Sequence, residues 1–229
     1  LLATTACTDR EAQRRAQPAA EAQAREQAAT KLQGEYDAAV ASNNWELARI
    51  HGTALLAQSP GPGGGGAADR ALPDAPARAD AAREQRRLSA LWNYARVAAG
   101  KGEQRTAAIF SKEPLDTGGS APATVQLVIR DHPEWKRSAY LVLEGGDFDC
   151  YGGCKVKVAF DDAAAKPMSA WRPKTDEAIA MFIEDYRGLW KQMRKAQLLE
   201  IEFPVKAGGT RTAVFEVGGL DGSQMPGWD

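Results

Sequence analysis

Short strand-like stretches follow one another after residue 88, and they constrain the fold more than any other feature of the chain. They lie at residues 91–97, 106–110, 124–130, 139–143, 155–160, 198–205 and 212–217. Several alternate apolar and polar residues, as residues 155–158 do, which is typical of antiparallel strands with one buried face. Glycine-containing turns lie between them at 116–119, 145–147 and 207–209. The last of these turns predicts a hairpin of 198–205 with 212–217.

One amphipathic segment interrupts the strands. Its apolar residues recur at three- and four-residue steps, and they are Ile179, Phe182, Ile183, Tyr186, Trp190 and Met193. This spacing predicts a helix, but residues 179–183 fit a strand leading into a shorter helix from Glu184 equally well. Either way we expect an α+β domain, with a mostly antiparallel sheet and one helix that covers a face.

The sequence before the strands, residues 8–58, has a helical pattern. Residues 11–33 are rich in good helix formers, and Pro18 predicts an early break. One apolar stripe consists of Leu32, Tyr36 and Val40, and the second helix carries Trp45, Ala48, Ile50, Leu55 and Leu56. A turn and N-cap signal at 42–44 separates the two helices. The pair resembles one tetratricopeptide-like unit, but no second copy follows at a matching period, which favours a plain helical hairpin.

The run of glycines and prolines at 61–66 has no capacity to pack and indicates a linker. The chain is therefore predicted to consist of a signal-peptide remnant at 1–7, a helical segment at 8–58, a Pro/Gly-rich linker at 59–76 and an α+β domain at 77–229.

The first residues resemble the end of a bacterial signal peptide. Small residues lead into Cys7, as in a lipobox, in which the cysteine receives acyl chains. Thr4 stands where leucine is usual, and an ordinary terminal cysteine in a fragment is the alternative. Thr8 follows the cysteine where aspartate often signals retention in the inner membrane. We therefore expect a periplasmic protein anchored to the outer membrane through lipid on Cys7, with the inner membrane less favoured.

Charge argues against a nucleic-acid partner. Lys and Arg total 29 against 30 Asp and Glu, so the net charge is −1. No apolar run is long enough to span a bilayer by itself.

Two of the three cysteines, Cys150 and Cys154, flank a Tyr-Gly-Gly turn. Redox enzymes usually carry two residues between their cysteines at a helix N-terminus, whereas here three residues precede a strand. A structural zinc needs four ligands, and no second Cys/His pair supplies the other two. In an oxidising periplasm these two cysteines are expected to form a disulfide that closes the turn. Such a short loop contributes about 2 kcal/mol.

No catalytic, cofactor-binding or metal-binding residue is predicted. The serine-hydrolase, zinc-protease and phosphate-loop motifs are absent. Of the two histidines, His51 is isolated and His132 lies in a polar loop where a solvated side chain is expected. The acidic residues near the cysteines are Asp147, Asp149, Asp161 and Asp162, and they do not fit the spacing of a calcium loop. Paired carboxylates stay open, because spatial pairing cannot be read from a sequence.

The chain contains six tryptophans. Trp92, Trp171 and Trp190 lie in patterned segments and are predicted to be core residues. Trp135 and Trp228 lie in loop-like or terminal surroundings, and they are the candidate contacts with a partner.

The C-terminal half also carries an ordered set of short stretches. They are WNY at 92–94, AAIFS at 107–111, LVIR at 127–130, FDC at 148–150, GCKVKVAFDD at 153–162, MFI at 181–183, KAQLLEIE at 195–202 and FEVGGL at 215–220. This set resembles a group of uncharacterised Gram-negative envelope proteins, often lipoproteins, that end in a small cysteine-containing β-rich domain. The resemblance covers roughly residues 90–222 and implies an envelope address without implying an activity.

These observations predict a non-enzymatic, lipid-anchored protein that binds a protein partner in the cell envelope. A secretion-system accessory role and a toxin-immunity role are the two expected types, by association with envelope lipoproteins of this size. The alternative is a periplasmic cell-wall hydrolase that uses two carboxylates.

Overall fold

The computed structural model describes residues 5–58, 74–174 and 179–228. In this part of the chain, four α-helices accompany one nine-stranded sheet in which all paired strands run antiparallel. The chain divides into two compact units, Leu1–Glu84 and Gln85–Asp229. Helices make up the first unit and the sheet belongs to the second, so the predicted α+β fold class is confirmed.

The first unit is built on a helical hairpin. Helix α1 spans Thr5–Ala41 and α2 spans Trp45–Gln58. Asn43 takes a left-handed conformation with φ 55°, and the Asn44 side chain accepts a hydrogen bond from the backbone N–H of Leu47 at 3.3 Å. The predicted turn and N-cap at 42–44 are confirmed.

The expected break at Pro18 is wrong, because α1 continues through this residue. A proline inside a helix removes one backbone hydrogen bond and costs about 3 kcal/mol. Alanine and glutamine residues surround Pro18, and their high helix propensity keeps the chain on a helical path.

The hairpin packs along a face of small residues. Ala48, Gly52 and Leu55 are buried on α2, opposite Leu32 and Tyr36 of α1. The predicted α1 stripe is therefore confirmed. Ile50 and Leu56 are exposed, which corrects their predicted place on the buried face, because the helix turns them away from the row of Ala48 and Gly52.

Helix α3 spans Asp74–Ala90. The predicted linker at 59–76 lies mostly outside the described residues, which resume at Asp74. Ala75 is fully buried with Tyr36, and the Arg78 guanidinium lies 4.6 Å from the ring centre of Trp45. These contacts attach the start of α3 to the helical hairpin.

The second unit contains the strands and one further helix, α4, at Tyr186–Met193. The strands are β1 Asn93–Ala99, β2 Gly102–Phe110, β3 Gln126–His132, β4 Lys136–Val142, β5 Cys154–Phe160, β6 Lys166–Trp171, β7 Ala180–Ile183, β8 Leu198–Pro204 and β9 Thr210–Glu216.

The order across the sheet is β1-β2-β3-β4-β7-β6-β5-β8-β9. Strands β1 to β4 follow one another as hairpins, and so do β5 to β7. The pairing of β4 with β7 joins these two groups. Strand β8 pairs with β5 and with β9, and the predicted hairpin of the last two strands is confirmed.

Strand β6 was not expected from the sequence. It contains Pro167, which cannot donate to a ladder, and its residues show no regular alternation. Pro167 is tolerated opposite Lys157 of β5. The open question at 179–183 resolves in favour of a strand, β7, followed by a short helix. The Asp185 carboxylate accepts a hydrogen bond from the backbone N–H of Gly188 at 2.9 Å and so caps α4.

One face of the sheet forms the core together with α4. Alternate residues of β3, β4, β7 and β8 are fully buried in one cluster with Leu189, Trp190 and Met193 of the helix. Trp92 and Trp190 are core residues as predicted, whereas Trp171 is 43% exposed and the prediction for it is wrong. Trp171 follows the buried Ala170 along β6, and this alternation places it on the other face.

Among the described residues, no helix is long and apolar enough to cross a membrane.

The turn after β4 depends on glycine. Gly146 has φ 73°, in the left-handed region that residues with a side chain rarely adopt. A Cβ atom added there would lie 1.8 Å from the backbone oxygen of Thr117. The Thr117 hydroxyl in turn donates to the backbone oxygen of Gly145 at 2.7 Å, so two loops meet here without room for a methyl group.

We predict that Gly146→Ala lowers the free energy of unfolding by about 2 kcal/mol or more, through backbone strain and the clash with Thr117. Gly152→Ala is the matched control, because a Cβ atom at Gly152 meets nothing within 4 Å. Urea denaturation of both variants measures the difference, and equal stabilities would contradict this account of the turn.

Candidate functional site

Cys150 and Cys154 form the predicted disulfide, with their Cα atoms 5.1 Å apart. Gly153 has φ 89°, and its backbone N–H donates to the carbonyl oxygen of Cys150 at 3.2 Å. The same carbonyl oxygen accepts the backbone N–H of Arg172 at 3.0 Å. The disulfide therefore closes the turn, and the hydrogen bond from Arg172 fixes the turn to the end of β6. Cys150 itself is buried in the core.

A charged cluster lies beside this turn and consists of Asp147, Tyr151, Arg172 and Lys206. The Asp147 carboxylate accepts hydrogen bonds from Arg172, from the Tyr151 hydroxyl at 2.8 Å and from Lys206 at 2.8 Å. The Arg172 side chain is only 3% exposed. Both cations also lie over the Tyr151 ring, at 4.4 Å for the guanidinium and 4.1 Å for the ammonium.

The opposite charges of this cluster stabilise each other's ionised forms. Burial alone would raise the pKa of the Asp147 carboxyl, but the hydrogen bonds from Lys206, Tyr151 and Arg172 outweigh it and hold that pKa below its ordinary value. The hydrogen bond with Asp147 likewise raises the pKa of Lys206. The polar groups named here pair with one another inside the cluster. We therefore assign the cluster a structural role, which is to stabilise the turn.

The acidic residues considered for calcium are not brought together. Asp147 belongs to the charged cluster before β5, whereas the Asp161 carboxylate, after β5, accepts the backbone N–H groups of Gln197 and Leu198 at 2.8 Å each. Over the described residues, no group of three or more His, Cys, Asp and Glu side chains could hold a metal ion.

The two histidines have structural contacts. His132 ends β3 and is only 7% exposed, so the expectation of a solvated side chain is wrong. Its Nδ1 atom accepts the backbone N–H groups of Glu134 and Trp135 at 3.1 Å each and thereby shapes the tight turn into β4. His51 Nδ1 lies 3.2 Å from a carboxylate oxygen of Glu35.

The most unusual surface lies on the sheet face opposite the core. It consists of Arg130, Trp135, Tyr140, Trp171 and Phe182, and we call it the aromatic–arginine surface. Register places Tyr140 of β4 opposite Phe182 of β7, and Phe182 opposite Trp171 of β6. The ring centres of each pair lie 4.9 Å apart. Three aromatic rings therefore form one continuous row across three strands.

Arg130 lies at the centre of this surface. Its guanidinium carbon is 5.1 Å from the Tyr140 ring centre and 5.2 Å from that of Trp135. In the part of the chain that the structure describes, no carboxylate lies within 4.0 Å of Arg130, and its Nε atom is buried with no hydrogen-bond partner. The buried Nε atom is out of reach of a partner, but the half-buried Arg130 side chain has no carboxylate among the described residues and can take an acceptor from another molecule at its other nitrogen atoms.

Burial and charge act on Tyr140 in opposite directions. Burial raises the pKa of its hydroxyl, and Arg130 lowers it by a smaller amount, so the pKa lies above the ordinary value for tyrosine. Tyr140 contributes an aromatic ring and a hydroxyl group to the aromatic–arginine surface.

Trp135 and Trp228 have different environments. Trp135 is 65% exposed and stacks on His132 with ring centres 4.1 Å apart, so it can reach another molecule. Trp228 is only 6% exposed and packs on Trp190 with ring centres 5.2 Å apart. This burial corrects the expectation that Trp228 offers an exposed contact.

Sequence reasoning missed the row of Tyr140, Phe182 and Trp171, because strand pairing brings together residues that lie far apart in the chain.

Four of the cavities that described residues bound lie on the sheet domain. The largest, about 590 Å³, lies along α4, and one of about 450 Å³ lies over the aromatic–arginine surface. The other two measure about 490 and 300 Å³. None of these four is lined by two carboxylates, so they give no support to the hydrolase alternative.

We predict that Asp147→Ala lowers the free energy of unfolding by about 2 kcal/mol at neutral pH, because it removes the hydrogen bonds that the Asp147 carboxylate accepts from Tyr151, Lys206 and the buried Arg172. Lys206→Met is the matched control and is expected to cost much less, since Lys206 is open to solvent. Thermal unfolding of both variants measures the difference.

The wild type and Asp147→Ala can also be compared as a function of pH. Because the pKa of Asp147 is lowered by folding, its contribution is present above the ordinary carboxyl range and is lost as the pH falls through the lowered pKa. The stability gap between the wild type and Asp147→Ala therefore narrows in acid. A gap that stays constant down to strongly acidic pH would contradict the cluster as described.

Comparison of the chain with models of protein families, with curated proteins and with solved structures finds no match. The resemblance to envelope lipoproteins therefore stays a prediction.

Proposed function

We propose that this protein is a non-enzymatic, lipid-anchored protein of the periplasm that binds a protein partner in the cell envelope. The observation that carries the proposal is the aromatic–arginine surface of the sheet domain. The protein serves its partner in an accessory or toxin-immunity role. Trp135 and Arg130 form the centre of the contact surface.

The composition of this surface supports protein binding. Tryptophan, tyrosine and arginine dominate the residues that contribute most to protein interfaces, and they do so from patches that lose water on contact. Trp135 and Trp171 expose large apolar rings, while Arg130 brings a cation that the rings partly desolvate. A partner that covers the rings and offers an acceptor to Arg130 would gain both contributions.

The rigidity of the scaffold supports the same role. Four of the five surface residues lie on paired strands, and Trp135 is held by its stacking on His132. Little conformational entropy is lost when such groups bind, so more of the contact energy appears as affinity.

The predicted address agrees with this chemistry. A disulfide of the kind formed by Cys150 and Cys154 persists in oxidising compartments such as the periplasm. Acylation of Cys7 would hold the protein at a membrane surface, since two or more chains give stable attachment.

The test of partner binding compares variants of the full chain in capture from envelope extract. Trp135→Ala removes the exposed ring and is expected to weaken recovery of the partner roughly thirtyfold, as a hot-spot residue worth about 2 kcal/mol implies. Phe110→Ala is the matched control, because Phe110 is also an exposed aromatic on a strand of the sheet domain.

The result is informative only for a protein that the wild type recovers reproducibly. Loss with Trp135→Ala and retention with Phe110→Ala supports the proposal, whereas equal recovery by the two variants contradicts it. Circular dichroism confirms that both variants remain folded.

The test of the anchor uses the protein isolated from its native membranes. We expect its intact mass to exceed that of the polypeptide by the mass of the acyl chains and their glyceryl group. A Cys7→Ser variant is expected to appear in the soluble periplasmic fraction. An unmodified Cys7 in membrane-bound protein would overturn the lipid anchor and leave the binding surface to be tested separately.

A further inference from the structure

The largest of the four cavities described above, which we call the α4 cavity, lies beside helix α4 on the sheet domain. It has a volume of about 590 Å³. Its lining combines cations with aromatic rings: Arg137, Arg187, Lys191, Arg194 and Lys195 with Tyr186, Trp190 and Trp228. No carboxylate belongs to this lining.

Three of the cations have no counter-charge within the protein as described. Arg137 pairs with Asp131 at 3.0 Å. For Arg187, Lys191 and Lys195, no carboxylate of the described residues lies within 4.0 Å. The cavity therefore presents a local excess of positive charge, although the chain as a whole carries a net charge of −1.

These three cations form a row. They are four residues apart in sequence. Arg187 and Lys191 lie on α4, whereas Lys195 lies in the turn that follows it, where its backbone N–H donates to the carbonyl oxygen of Gln192 at 3.0 Å. Like charges at this spacing repel each other and destabilise a helix. The helix dipole favours cations near the C-terminus, which accounts for Lys191 and Lys195. It does not account for Arg187, which lies in the first turn, where a cation is unfavourable.

Aromatic side chains form the apolar wall of the cavity. Tyr186 meets Trp228 edge to face with ring centres 5.7 Å apart, and Trp190 meets Trp228 at 5.2 Å. The indole N–H groups of Trp190 and Trp228 are buried and have no acceptor among the described residues. The site thus offers an apolar wall and a row of donors, and its lining supplies no negative charge.

We infer that the α4 cavity binds an acidic, extended segment of a partner protein whose carboxylates lie at alternate residues. This inference rests on the proposed function, because it assigns a chemistry to part of the partner. Four residues of helix rise about 6.0 Å, and two residues of an extended strand rise about 6.6 Å. Alternate carboxylates of an extended segment therefore match the spacing of Arg187 and Lys191 along α4, and Lys195 offers a third cation just after the helix ends.

Shape favours a peptide over a membrane surface. Anionic lipid attracts cations that project from a convex surface, whereas these cations border a concavity with tryptophan in its wall. A narrow chain can enter it and place one apolar side chain against the half-buried Tyr186 ring.

The test titrates the full chain with two synthetic peptides of the same composition. One has the order Leu-Glu-Ser-Glu-Ser-Glu and the other Leu-Glu-Glu-Glu-Ser-Ser. We expect the alternating peptide to bind about tenfold more tightly, and its affinity to fall with added salt, because the contacts are between charges. Calorimetric titration measures both affinities.

Variants locate the site. Lys191→Gln combined with Lys195→Gln is expected to weaken the alternating peptide about tenfold. Lys166→Gln is the matched control, an exposed lysine of β6 outside the cavity lining, and is expected to change little. The inference is overturned if the two peptides bind equally, if neither binds, or if the double variant binds like the wild type. The inference is also overturned if the protein binds vesicles containing anionic lipid more tightly than the alternating peptide. That result would assign the cations of the α4 cavity to a membrane surface.

Failure here is distinguishable from failure of the proposed function. If the double variant still captures the partner that Trp135→Ala loses, the partner binds at the aromatic–arginine surface and the acidic-segment inference is wrong. If Trp135→Ala retains the partner, the proposed contact centre is wrong whatever the peptides do.

Discussion

The sheet domain depends on the pairing of β4 with β7. These strands share a short ladder, Ala139 to Val142 against Ala180 to Ile183, and it joins two sets of hairpins into one sheet. Its register buries Leu141 and Met181 on the core face and leaves Tyr140 and Phe182 on the other. Since a shift by one residue exchanges the two faces of a strand, the same hydrogen bonds that complete the core also assemble the aromatic row.

Local signals were sufficient for much of this fold. The alternation along β5, the hairpin of β8 with β9 and the turn between α1 and α2 depend on neighbours in sequence, and each was predictable. The turn closed by Cys150 and Cys154 is equally local. Strand β6 was missed because Pro167 and weak alternation hide it, and only its two neighbours make it a strand. Without β6 as a strand, the alternation that places Trp171 on the face opposite the core cannot be predicted either.

The candidate site was less accessible to sequence reasoning, because it is a product of pairing. Arg130, Tyr140 and Phe182 come from strands whose neighbours are set by the topology, and no local pattern reports that β4 lies beside β7. Trp135 was identified from its loop-like surroundings, but similar reasoning misplaced Trp228, whose burial comes from packing on Trp190. The polar residues near the disulfide attracted attention as chemistry, yet Asp147 and Arg172 neutralise each other within the protein.

Arg137 and Tyr186 line both the α4 cavity and the cavity over the aromatic–arginine surface. The two sites therefore share a wall, and a partner bound in one has its next residues held beside the other. The second contact then forms at a high effective concentration instead of requiring a new encounter. Two individually weak contacts on this domain would combine into a long-lived complex, with a residence time set by their geometry more than by the strength of either one.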